Sequence, residues 1–134
     1  MPIDLHWENR ERNILHYRFV DVWNGVDLYT ANSKAWEMIN QVKHNVTLFL
    51  DFSTECLRAY HSRVPLLRML LHSPPNLNHI VLIGNKNQIE FIQQVIQRVS
   101  TEHQNACQCA ADLATAYRLI APYAAHIESS TARL

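Results

Sequence analysis

The residues best placed to do chemistry gather where the apolar run Val46–Phe52 ends: Asp51, Cys56 and His61, with Asn85 after the next apolar run. In α/β proteins, ligands bind outside the carboxyl ends of strands, so this is where a pocket is expected. A thiol such as Cys56 becomes a nucleophile only with a base in hydrogen-bond reach. His61 stands five residues on, a spacing that matches no cysteine-hydrolase motif. Asp51 and Glu55 offer carboxylates for acid–base work, although an aspartate at a strand end more often caps the following turn. Gly84-Asn85-Lys86 lies between an apolar run and a helical pattern, where free amides can hold an anion. Any strand-to-helix turn leaves such amides, and that plain reading is preferred. With two glycines in the whole chain there is no Walker A loop and no GxGxxG cradle.

Metal and nucleophile patterns are equally sparse. Eight histidines are present, yet none pairs with another ligand at HxxxH, HExxH or CxxC spacing. His44, His61, His72 and His79 fall near segment ends, where surface roles are commonest. Cys107-x-Cys109 puts two thiols on one strand face, but two ligands do not close a zinc site, and small apolar filler is the plainer account. Trp7 and Trp23 on strand faces and Trp36 beside a helical stripe are expected to pack in the core. No metal site, no cofactor and no catalytic residue is expected.

The elements that would position these residues follow from periodicity. Ile3–Glu8 alternates apolar and polar residues, as a half-buried strand does, and Ile14–Trp23 alternates again across the polar link 9–13. Leu28, Ala31, Ala35, Met38 or Ile39, and Val42 mark one helical stripe, with Asp27 as N-cap or first-turn acid. Val46–Phe52 and Ile80–Ile83 read as strands covered on both faces. Helices are expected over 62–72, with Pro65 in the first turn, and over 87–101. A short strand 106–110 precedes a last helix capped by Asp112. The order ββαβαβαβα predicts an α/β domain: a mixed five-stranded sheet with four helices. One domain over 1–134 is expected, with 129–134 a frayed tail.

Composition narrows the function classes. Twelve basic and twelve acidic residues leave a formal charge of zero, and no basic cluster suits phosphate neutralisation, so nucleic acid is not an expected partner. No run of apolar residues reaches membrane-spanning length, and Asp4, His6 and Glu8 are foreign to a signal peptide. An odd count of three cysteines suits a reducing, cytoplasmic setting.

The pattern resembles the STAS domain of sulfate transporters and anti-sigma-factor antagonists, over nearly the whole chain. The likeness rests on the element order, on Leu50-Asp51-Phe52-Ser53, on Asn78-His79-Ile80-Val81-Leu82-Ile83-Gly84 and on Asp112-Leu113-Ala114-Thr115-Ala116. It implies a non-catalytic regulatory or protein-binding module, some members of which are switched by phosphorylation of a serine at the start of the helix after the central strand. The antagonists carry Asp-Ser-Ser-Gly there. This chain has Arg58-Ala59-Tyr60-His61-Ser62-Arg63, which lacks the aspartate, the paired serines and the glycine. Ser62 is the nearest hydroxyl, and Ser53, Thr54, Ser62 and Arg63 outline the partner-binding or regulatory loop. The expected partner is a regulatory kinase or other signalling protein, with a homodimer as a further option. The alternative is a small-molecule-binding protein or cryptic enzyme with a strand-end pocket at Asp51, Cys56, His61 and Asn85.

Overall fold

The computed structural model describes residues 3–20, 23–52, 74–87, 89–90, 93–94 and 107–121. They form an α/β structure around one five-stranded mixed sheet. Its strands are β1 (Ile3–Trp7), β2 (Ile14–Phe19), β3 (Val46–Asp51), β4 (Leu77–Ile83) and β5 (Cys107–Ala110), and they lie side by side in chain order. β1 and β2 pair antiparallel, while β2–β3, β3–β4 and β4–β5 are parallel. The long helix α1 (Gly25–Asn40) joins β2 to β3, and residues 113–121 are helical after β5. Helical residues at 86–87, 89–90 and 93–94 agree with the expected third helix. The helix expected over 62–72 lies outside the described residues.

The inner strands divide their side chains between two apolar layers because successive residues point to opposite faces. Leu15, Tyr17, Phe19, Leu48, Leu50, Ile80 and Leu82 face one way and pack under Leu28, Ala31, Ala35 and Ile39 of α1. Ile14, Phe49, Val81, Ile83 and Ala110 face the other way, toward Ala116 and Ile120 of the 113–121 helix. β3 is covered on both sides, which is why its sequence is nearly all apolar. β1 is an edge strand and keeps its alternation.

Two boundaries differ from the sequence expectation, each for a local reason. β2 stops at Phe19 rather than Trp23 because Asn24 caps α1. Its side chain accepts from the Asp27 amide at 2.9 Å, and the Asp27 carboxylate accepts from the Asn24 amide at 3.0 Å. Trp23 is therefore off the sheet, partly buried with its ring 5.1 Å from Phe19. β4 begins at Leu77, three residues earlier than expected, because a register shift between Val46 and Thr47 absorbs Asn78 as a bulge. The bulge turns Leu77 into the α1 layer while His79 falls on the opposite face. Asn76 then caps the end of α1, donating to the carbonyls of Ile39 at 2.8 Å and Val42 at 3.1 Å.

Candidate functional site

The face of the sheet away from α1 carries a line of ionisable side chains, and strand pairing assembles it. In β1 the polar half of the alternation is Asp4 and His6, and Glu8 extends it one step past the strand. The Glu8 amide still donates to the Ile14 carbonyl at 2.9 Å, which continues the ladder and keeps Glu8 on the same face. Antiparallel register sets His6 directly opposite His16, with ring centroids 5.0 Å apart. Parallel register sets His16 beside Phe49, so that Asp51, two residues further along β3, leans over the same ring. The 113–121 helix adds Tyr117, whose ring meets Phe49 edge-on at 5.5 Å.

The result is a chain of contacts centred on His16. Its Nδ1 lies 2.6 Å from Glu8 Oε1 and its Nε2 lies 2.7 Å from Asp51 Oδ2. His6 Nε2 reaches the same Glu8 oxygen at 2.9 Å, and His6 Nδ1 lies 3.3 Å from Asp4. The Tyr117 hydroxyl donates to the other Glu8 oxygen. The chain runs from buried to open: side-chain exposure is 5% at both Asp51 and His16, 14% at Glu8 and 46% at His6.

Burial by itself would pull His16 down, but hydrogen bonds and charge from Asp51 and Glu8 outweigh it and hold the ring above the ordinary histidine value. Burial pushes the other way on Glu8. Hydrogen bonds from Tyr117 and His16, with the His16 charge, overcome it and keep this carboxyl below its usual range. Tyr117 is pushed up by burial and by its carboxylate neighbour, so it stays a neutral donor. Carboxylate oxygens at both ring nitrogens favour the protonated ring, which donates from both. Ligand-type atoms of His6, Glu8 and His16 also lie within 4.8 Å of one another, a grouping among the described residues that could hold a metal ion.

Of the residues singled out from sequence, Asp51 belongs to this site, through a bond to His16 that sequence reasoning did not foresee. Asn85 is an exposed turn residue whose side chain accepts from the Asn87 amide at 3.0 Å, the strand-to-helix role preferred for it. Ser53, Thr54, Cys56, His61, Ser62 and Arg63 lie outside the described residues. Cys107 packs in the core layer beneath α1 with Cys109 against that layer, and burial pushes the Cys107 thiol up to about 12, which suits filler and not a nucleophile.

His79 corrects the expectation of a surface histidine. It is buried within β4, with Nε2 2.7 Å from the Gln108 side-chain oxygen. The site residues that sequence reasoning passed over are His6, Glu8, His16 and Tyr117. A signal existed: Asp4, His6 and Glu8 occupy one face of a strand expected to form a hairpin with His16. Comparisons of this chain with protein-family models, with curated proteins and with solved structures find no match.

Proposed function

We propose that the chain is a non-catalytic protein-binding module of STAS-like type. The observation that carries this reading is the state of His16. Both of its ring nitrogens are engaged by carboxylates and the ring is buried, an arrangement that suits holding the strands and the surface above them in place. The Glu8 carboxylate is likewise shared among His6, His16 and Tyr117. Groups held this way fix the shape and charge of the surface they lie under. The hairpin followed by parallel strands supports the STAS-like part of the reading. The partner would meet the carboxyl ends of the parallel strands, near Asp51 and the segment 53–63. Val26 and Tyr29, both more than 70% exposed in the first turns of α1, give that end of the molecule apolar side chains to bury.

The test is photo-crosslinking in the native cells, with a photoreactive residue placed at Tyr29, at Asn85 or at Lys43. Tyr29 and Asn85 lie at the carboxyl end of the sheet, whereas Lys43 follows α1 at the opposite end. One discrete protein adduct from both Tyr29 and Asn85, absent from Lys43, is the expected result. Equal labelling from all three positions, or adducts from none, would count against the reading.

A further inference from the structure

We propose that His6, Glu8 and His16 form a binding site for one divalent transition-metal cation of the zinc type, a property that stands apart from the protein-binding reading. Two imidazoles and one carboxylate are the donor set that such cations take, whereas calcium and magnesium prefer oxygen alone. Three protein ligands leave a fourth position for water. His6 Nε2 and His16 Nδ1 both converge on Glu8 Oε1, at 2.9 and 2.6 Å. Ligand atoms around tetrahedral zinc stand about 3.3 Å apart, so the two Glu8 contacts would open by less than about 1 Å each to admit an ion, and all three ligand atoms already lie within 4.8 Å of one another. Glu8 lies just beyond the paired residues of β1, where such a shift is local.

The outer groups strengthen the case. A histidine that binds a metal through one nitrogen usually gives its other N–H to a carboxylate, which sets the tautomer and aims the ring. His16 has that partner, with Nε2 2.7 Å from Asp51, and His6 Nδ1 has a carboxylate within ion-pair distance, 3.3 Å from Asp4. The Tyr117 hydroxyl occupies the second Glu8 oxygen and leaves the first to the rings. Each nitrogen distal to Glu8 faces a carboxylate, and the proximal ones coordinate once the ion displaces the proton between His16 and Glu8. His6 is half-exposed and opens the site to solvent, while Phe49 and the buried His16 close it from beneath.

The experiment strips the full chain with a chelator and titrates it with Co²⁺ and with Zn²⁺. The expected result is one ion per chain by elemental analysis, and a Co²⁺ form with visible ligand-field bands but no thiolate charge-transfer band. His6→Ala should abolish stoichiometric binding. Asp4→Asn, at a 56% exposed side chain, should weaken it about tenfold by loosening His6. Both variants should keep the circular dichroism and melting temperature of the metal-free parent. Absence of stoichiometric binding, a thiolate band, or unchanged affinity in both variants would overturn the proposal.

Discussion

At the residue scale the molecule has committed a buried histidine to two acids. Removing Asp51 leaves Glu8 as the one partner of the buried ring and strands its Nε2 where water does not reach, which typically costs about 1–3 kcal/mol. Asp51→Ala is therefore expected to lower the unfolding free energy of the chelator-treated protein by that order, read as a lower urea midpoint at an unchanged denaturant slope. The double variant with His16→Ala should lose less than the two single losses together, since the second change removes the stranded nitrogen. His79 behaves in the opposite sense. Burial lowers its pKa by more than the Gln108 hydrogen bond raises it, so the fold favours the neutral ring. The unfolded chain thus binds a proton that the folded chain refuses. Stability from this residue is complete above the ordinary histidine pKa of about 6.5 and is lost as pH falls toward the lowered folded value. The difference in melting temperature between the parent and His79→Gln should shrink as pH is lowered from about 7.5 to about 5.

At the element scale the decisive features are ends and turns. Gly84 closes β4 with φ +150°, a conformation that side chains rarely adopt, and a Cβ there would stand 3.3 Å from the Phe52 backbone. Its amide donates to Ala110 at 3.0 Å, so the turn also ties β4 to β5. Gly84→Ala should destabilise the fold by roughly 1–3 kcal/mol, read by thermal or chemical unfolding. The Asp112 cap of the 113–121 helix was legible in sequence and is present, with its side chain accepting from the Thr115 amide at 2.7 Å. That helix matters to the site because it brings Tyr117 over Glu8.

At the scale of the whole molecule, the sheet separates two tasks by face. The layer under α1 is apolar throughout and anchors the fold. The opposite face mixes a smaller apolar cluster with the Asp51–His16–Glu8–His6 line. Stability should follow the same plan. Amides in β3 and β4, buried between layers and paired on both sides, should exchange with solvent most slowly, and those of the edge strand β1 much faster. Hydrogen exchange followed by mass spectrometry reads this directly. Protection in β1 equal to that in β3 would show that the hairpin carrying His6 and Glu8 is no more labile than the centre.

By itself, the amino-acid sequence determined the α/β class, the five strands and the inner stripe of α1. These depend on local periodicity, on runs such as Val46–Asp51 that only a doubly covered strand explains, and on punctuation by Gly84 and Asp112. It also marked Asp51 as the notable end of β3. The site required tertiary structure. His6 and His16 meet only through antiparallel register, Asp51 reaches His16 across 35 positions of sequence, and Tyr117 reaches Glu8 across 109. No short motif can encode contacts that strand register and helix docking create. The bulge at Asn78 makes the same point: an insertion in one strand is defined only against its neighbour, and it places Leu77 and His79 on opposite faces.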